Sequence, residues 1–460
     1  MMKNIFISLL LISAILSFTS CADDYINSIP GNSTAIVAVD GSAISKGDKF
    51  KNALQQVLET EDLSETGLDL TSKIYLFETV DGNLGLTAKV SDIDNFNDLL
   101  LRLSKKGSAT QPKEKRDKWF SVIKDKWVLG YTSDVLVVMG PSLPAQHSVV
   151  MRQISRLLKQ DEEHSIKNSP LFERLSAMQG SINIVSRVSA LPEKLRSLFV
   201  LGAPANTEPS QIIVEASVGA DIAEGFVNVS VSTSSPNATI NGSLEKSRSK
   251  FRPLSAVFAN SMSSDAALGV FVNVSGLDFI DMLRKDQMFQ TLLAGMNMAV
   301  DMDKIIGSMN GEIAVVLPRM FNSFTSEETG SDAKVSLSLA GELKDKTFLA
   351  DIPYWKKSCP QGATIKDCGN ETYCYEGNGF NYYFGITPDM KYYSGSSLSE
   401  ARQSVALATR PLPREVLSFI KGHRFCVVAN IPVITGSLAS GVVSSLLGDV
   451  KYIVITDNGE

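Results

Sequence analysis

A chain of 460 residues exceeds one ordinary domain and suits two, at roughly 100–200 residues each. Its 44% hydrophobic content excludes wholesale disorder, and 20% charged residues are enough to keep a polar skin over two cores. Lys+Arg 44 against Asp+Glu 50 gives a net charge of −6 and argues against nucleic acid as a partner, while His 3 and Cys 5 leave little material for a metal centre or an imidazole catalyst.

Residues 1–20 read as an export signal. Lys3 supplies the positive start, Ile5 to Leu16 the apolar stretch, and Thr19-Ser20 the small residues before Cys21. The apolar run is shorter than the ~20 residues that a spanning helix needs. Leu16-Ser17-Phe18-Thr19-Ser20-Cys21 resembles a bacterial lipobox, with Phe18 where that pattern prefers Leu. In such a motif the Cys21 thiol takes a diacylglycerol, and two or three acyl chains make a stable membrane anchor. The alternative is an ordinary signal-peptidase site beside a coincidental cysteine. Ala22-Asp23-Asp24 is similar to the surface-export tags of Bacteroidetes lipoproteins, so an outer-membrane location is expected. Later apolar stretches are interrupted, Val427 to Val433 by Asn430 and Pro432, and Ser437 to Leu447 by Ser and Gly. No transmembrane helix is predicted in the mature chain.

The first predicted strand is Ile36 to Asp40, followed by a helix over Asp48 to Glu59 with Phe50, Ala53, Leu54, Val57 and Leu58 on one stripe. Lys73 to Glu78 and Leu84 to Val90 form a hairpin around Asp81-Gly82-Asn83, where glycine supplies positive φ. Ile93 to Leu103 is an amphipathic helix burying Ile93, Phe96, Leu99, Leu100 and Leu103, and Trp127 to Tyr131 with Val135 to Met139 is a second hairpin. The first copy closes with Gln211 to Val218, a turn at Gly219 to Glu224, and Gly225 to Thr233.

The chain then repeats itself. Gly269-Val270-Phe271-Val272-Asn273 resembles Ile36 to Asp40 and leads to a helix near Leu277 that carries Phe279, Ile280, Leu283, Phe289, Leu292 and Leu293. Gly130, Thr132, Asp134, Gly140 and Ser142 recur at one constant offset as Gly385, Thr387, Asp389, Gly395 and Ser397. Leu175 to Gly180 is echoed by Leu417 to Gly422, each before a strand-like run. Asn310-Gly311 and Gly377-Asn378-Gly379 mark hairpins in the second copy. The expected organisation is a signal at 1–20, a first module at 21–235, a polar linker at 236–253 and a second module at 254–460. Asp457-Asn458-Gly459 is a turn signal with no returning strand, so the second module is expected to be truncated or to leave an open edge. Paired strands with separate helices make the fold class α+β: two tandem similar modules, each an antiparallel, hairpin-rich sheet packed with amphipathic helices.

A short lipobox, then Tyr25-Ile26-Asn27-Ser28-Ile29-Pro30, Ser33 to Val39, a helix and Thr66-Gly67-Leu68-Asp69 together resemble a domain-of-unknown-function family of Bacteroidales cell-envelope lipoproteins. The resemblance covers most of the chain and rests on pattern. It implies an envelope location and a duplicated α+β architecture, supports Cys21 as the lipidated residue, and carries no assigned activity or catalytic residues.

Chemistry is sparse. With Cys21 assigned to lipid, Cys359, Cys368, Cys374 and Cys426 make an even number, which in an exported chain favours disulfides. One connectivity is Cys359–Cys368 with Cys374–Cys426; two others, free buried thiols, and a zinc site with His423 remain alternatives, the zinc site lacking the tight Cys-x2-4-Cys chelate. Asp301-x-Asp303 to Glu312 imitates a calcium loop, but Ile305 and Ile306 stand where an oxygen ligand and glycine are needed. Asp92-x-Asp94 reads as helix N-terminal acids. Ser-x-x-Lys occurs at Ser121 to Lys124, Ser243 to Lys246 and Ser247 to Lys250 without the Lys-Thr-Gly strand of its catalytic context. His147, His164 and His423 have no recognisable catalytic partner, so no catalytic residue, metal or cofactor is assigned. The richest feature is aromatic: Trp355, Tyr373, Tyr375, Tyr382 and Tyr392 are candidate ligand-binding residues for a glycan or an apolar partner. At period two, Tyr373/Tyr375 and Phe380/Tyr382/Phe384 each fall on one sheet face, where aromatics normally cover a core, and this structural reading is the stronger of the two. The expected function is a lipid-anchored envelope protein with a binding or structural role toward an envelope protein, with a glycan-binding module and an unrecognised hydrolase as alternatives.

Overall fold

The computed structural model describes residues 23–457 except 43–50, 52–53, 56–57, 192, 194–195, 197–198, 201, 220–224, 285–299, 319–336, 378–379 and 436–449. The export signal, Cys21, much of the helix expected at Asp48 to Glu59, Phe289 to Leu293, the Asn378-Gly379 turn, Ser437 to Leu447 and Asn458 to Glu460 therefore lie outside the described residues. Among the described residues no helix is long and apolar enough to cross a membrane. The chain packs as two compact units, residues 1–192 with 213–220, and residues 193–212 with 221–460.

In the first unit, β1 (Ala35–Val39), β2 (Ile74–Glu78) and β3 (Leu84–Lys89) precede helix α1 (Ile93–Lys105). Then come β4 (Lys113–Glu114), β5 (Trp119–Ile123), β6 (Trp127–Tyr131), β7 (Val135–Gly140), α2 (His147–Leu157), α3 (Pro170–Ala177), β8 (Ile182–Arg187) and β9 (Ile213–Val218). All pairings are antiparallel, in the spatial order β4-β5-β6-β7-β3-β2-β1-β8-β9. The expected hairpin at β2 and β3 turns at Gly82, which adopts φ 75°. Asp92 caps α1 by accepting the N–H groups of Asp94 and Asn95, and Gly107 at φ 77° follows its end. Between these stops, Phe96, Leu99, Leu100 and Leu103 are buried with Ala88, Leu129, Tyr131 and Leu136 of the sheet. The opposite face buries Ile36, Tyr75, Phe77 and Val185 against Leu171 and Leu175 of α3, and Val128, Val137 and Met139 against Val150 and Ile154 of α2. Gly130 lets α2 approach: a Cβ there would meet Ile154 Cγ2 at 2.6 Å.

The second unit contains β10 (Phe226–Ser234), α4 (Ala238–Arg248), β11 (Leu268–Ser275), α5 (Gly276–Leu283), α6 (Met302–Gly307), β12 (Met309–Leu317), β13 (Ser338–Leu343), α7 (Ile352–Ser358), β14 (Thr364–Gly369), β15 (Thr372–Gly377), β16 (Phe380–Ile386), β17 (Lys391–Gly395), α8 (Leu398–Gln403), α9 (Arg414–Ile420), β18 (Phe425–Asn430), α10 (Ile431–Thr435) and β19 (Tyr452–Asp457). Its spatial order is β14-β15-β16-β17-β13-β12-β11-β18-β19-β10. From β14 to β19 this sequence of neighbours matches β4 to β9 strand for strand. One face buries Val272, Ile313, Leu339, Tyr375 and Tyr392 under α5, α6 and α7. The other buries Phe271, Ala314, Cys426, Val428 and Val454 under α9 and residues 254–262. Gly395 admits α8 as Gly130 admits α2, since its Cβ would lie 2.7 Å from the Ala401 nitrogen.

Two expectations change here. The stretch 236–253 is not simply a polar linker, because Asn237 caps a helix there whose Ile240 and Leu244, four residues apart, are both buried. Nor is β19 an open edge. Strand β10 runs parallel to it, from Phe226 opposite Tyr452 to Val231 opposite Asp457. That pairing carries residues 221–253 into the second unit rather than the first.

Candidate functional site

The candidate aromatic residues come together, but inside the core. Tyr375 and Tyr382 are cross-strand partners on β15 and β16, and Tyr373 pairs with Phe384 in the same register. Tyr375 and Tyr392 are fully buried, Trp355 is 6% exposed and Tyr382 9%. The Tyr382 and Tyr392 hydroxyls lie 2.7 Å apart, and Tyr382 Oη also donates to Met302 Sδ at 3.6 Å. The Tyr382 ring stacks on Phe384 at 5.7 Å, and Trp355 meets Phe384 edge-on at 6.4 Å. Burial pushes the Tyr382 phenol up to about 12 and raises that of Tyr392 well above its ordinary value, so both stay neutral. Only Tyr373 is half-buried, with Lys356 Nζ 5.9 Å above its ring. The stacking surface expected from Trp355, Tyr375, Tyr382 and Tyr392 therefore does not form. These rings fill the space between the sheet and helices α6 and α7.

Cys359, Cys368, Cys374 and Cys426 are free thiols, which corrects the expected disulfides. Cys374 on β15 and Cys426 on β18 are separated by six strand steps in the sheet order, roughly 29 Å at about 4.8 Å each. A disulfide tolerates about 4.4–6.8 Å between Cα atoms. Cys359 ends α7 and donates to the Trp355 carbonyl at 3.2 Å, while Cys368 is exposed beside a β-bulge. Burial raises the thiol pKa of Cys359 and of Cys374, and burial together with the Asp457 charge raises that of Cys426. Buried thiols of this kind are inert.

The remaining polar motifs hold the fold together. Asp301 caps α6 through the Lys304 N–H at 3.0 Å, and Asp303 pairs with Arg284 at 2.6 Å. Glu312 points elsewhere: its buried carboxylate accepts the N–H of Ser255, the Ser255 hydroxyl at 2.5 Å and the Val257 N–H at 3.0 Å. The three acids of the calcium-like spacing thus serve separate tasks. Among the described residues no group of three or more His, Cys, Asp or Glu side chains is placed to hold a metal ion. Ser121 donates to the Thr110 carbonyl at 2.6 Å and Ser243 to that of Gly202 at 2.8 Å, so neither faces its motif lysine as a nucleophile.

Sequence reasoning missed one buried cation and one half-buried pair. Lys118 is 4% exposed, and its ammonium donates to the Ser155 carbonyl at 2.5 Å and approaches Ser155 Oγ at 3.1 Å, closing the last turn of α2. Burial and, less strongly, Lys159 lower its pKa. His423 and Asp457 approach to 3.4 Å beside Cys426, the nearest thing here to a nucleophile, base and acid. Asp457 Oδ1, however, accepts the backbone N–H of Arg424 at 2.9 Å and that of Phe425 at 3.4 Å, and Cys426 has no exposed surface. Neither grouping has a signal in sequence, since both depend on which strands lie side by side. An open cleft of the first unit, about 590 Å³ in volume, is lined by Gln55, Glu59, Thr60, Glu61, Arg102 and Lys106. Its polar groups engage each other, as Ser108 donates to Glu59 at 2.7 Å and Lys106 to the Glu59 carbonyl at 3.1 Å.

The family model for the domain of unknown function DUF4836 matches residues 43–407, most of the chain. The chain belongs to this family. The DUF4836 match runs from the segment after β1 to beyond α8, so it draws on both units. No curated protein and no solved structure matches the chain. The DUF4836 assignment brings no activity with it.

Proposed function

We propose that this protein is a lipid-anchored component of the bacterial cell envelope, with a binding or structural role and no catalytic one. Its two units are a duplicated α+β module, a reading supported by the shared neighbour order of β4 to β9 and β14 to β19. The observation that carries the non-catalytic reading is the disposal of its reactive groups. Lys118 closes a helix, Glu312 and Asp457 bind backbone N–H groups, and the Tyr382–Tyr392 pair and Cys426 are sealed in cores. Polar chemistry of this kind fixes a fold, and among the described residues it leaves no activated nucleophile at a surface.

The anchor rests on Cys21 and the lipobox-like residues before it. Radiolabelled palmitate should enter the protein in growing cells and be lost with Cys21→Ala; label that persists in the variant removes the anchor. Crosslinking in intact cells followed by mass spectrometry should recover an envelope protein partner. Recovery of the protein alone, together with turnover of ester or amide substrates by the purified chain, would replace this reading with the hydrolase alternative.

A further inference from the structure

We infer that one edge of the first unit is a docking strip for anionic lipid headgroups. Between Arg102 and Lys126 the sequence holds nine basic residues and three acidic ones, Glu114, Asp117 and Asp125. Outside that stretch the chain holds 35 basic and 47 acidic residues, the remainder of 44 and 50. Positive charge is thus concentrated in one place on an acidic protein.

The fold keeps these cations together. The bridge between Ala109 and Ile123, and the Lys124 N–H donating to the Ser108 carbonyl at 2.9 Å, set the end of α1 beside the β5–β6 turn. Lys105, Lys124 and Lys126 are exposed there. From that point the chain runs along β5 as the sheet edge, reaching Lys113 opposite Phe120, roughly 10 Å further on. Lys115 and Arg116 follow, also exposed. None of these six has an ion-pair partner among the described residues.

Lysines on an edge strand can simply discourage sheet-to-sheet association. The equivalent edge of the second unit shows what that role requires. Residues 356–379, from the end of α7 to the β15–β16 turn, hold three basic and three acidic residues, and Lys366 there is paired with Glu376 at 2.5 Å. An edge in the same topological position is therefore protected with balanced charge. The surplus in the first unit fits a surface of phosphate groups, to which each nearby Lys or Arg adds affinity without needing a shaped pocket. The inference deepens the envelope reading: the acyl chains would hold the protein at the membrane, and the strip would set which side of the first unit faces it.

The test separates the strip from the anchor by using the full-length Cys21→Ala chain without acyl groups. It should float with vesicles of phosphatidylcholine and phosphatidylglycerol, remain unbound with phosphatidylcholine alone, and be released by salt. Lys113→Gln/Lys115→Gln/Lys124→Gln/Lys126→Gln should weaken flotation by roughly 600-fold, each cation contributing about fivefold near an anionic leaflet. The smaller variant Lys124→Gln/Lys126→Gln, with an unchanged circular-dichroism melt, guards against misfolding and should weaken flotation by roughly 25-fold. Equal binding to both vesicle types, or undiminished binding by the folded variants, would overturn the proposal. So would tighter binding to soluble heparin than to the anionic vesicles, which would make the partner a polyanionic chain. Loss of palmitate labelling elsewhere would not alter any of these results.

Discussion

Tyr382 and Tyr392 share one hydrogen bond at 2.7 Å across neighbouring strands, with both rings sealed from water. Removing one hydroxyl leaves the other without that partner, whereas removing both leaves no orphan. Tyr382→Phe and Tyr392→Phe should each cost about 1 kcal/mol in urea unfolding, and the double Phe variant should cost clearly less than their sum. Tyr392→Ala should cost about 3–5 kcal/mol. Strict additivity of the Phe variants would show that the pair is not coupled.

Glu312 ties β12 to the segment around Ser255 and Val257 through backbone N–H groups. Glu312→Ala leaves those part-buried donors without their acceptor, and a loss of about 1–2 kcal/mol is expected. Glu312→Gln keeps an acceptor and should recover part of it. Hydrogen exchange at Val257 provides the local check: it should accelerate in the Ala variant more than at β5, which is remote in the chain.

Lys118 gives a pH dependence with a particular sign. Its folded-state pKa lies below the ordinary 10.5, so between those values the unfolded chain binds more protons than the native one. Stability contributed by this residue must then rise as pH climbs through that window, because the cost of burying the charge disappears. The stability difference between wild type and Lys118→Met should shift in favour of wild type from pH 8 toward pH 10.5. A flat difference across that range would show that the ammonium is not desolvated.

The thiols differ in access. Cys368 is exposed, Cys359 half-buried, and Cys374 and Cys426 buried. Iodoacetamide on the native protein should therefore modify Cys368 first and Cys359 more slowly, with Cys374 and Cys426 protected until denaturant is added. Peptide mapping without reductant should find no linked pair among the four, and a Cys374–Cys426 peptide would contradict the strand order.

Local pattern made much of the fold readable. The hairpin around Gly82 and helix α1 from Ile93 follow directly from alternation, a turn glycine and a capping Asp, as does the α+β class. The constant offset linking Gly130 and Gly140 to Gly385 and Gly395 falls on strands in matching positions, where Gly130 and Gly395 admit a covering helix. What could not be read was adjacency. Strand β13 lies between β12 and β17, a non-sequential placement that puts Cys374 far from Cys426 and defeats any argument from cysteine parity. The tyrosines were ambiguous for a related reason. Both faces of the sheet carry helices, so a period-two pattern cannot tell a core side from a solvent side. The helix at Ala238–Arg248 was hidden by its polar composition, with only Ile240 and Leu244 turned inward.

The parallel pairing of β10 with β19 also bears on how the molecule is made. Phe226 leaves the ribosome more than two hundred residues before its partner Tyr452, so the first strand of the second unit must wait for the last. Because contacts between such distant positions carry a large loop-closure cost, this seam should be among the slowest to form. Synthesis halted anywhere before Tyr452 leaves both β10 and β18 without the strand that joins them. Synthesis of β19, rather than any local signal, is what licenses the second unit to close.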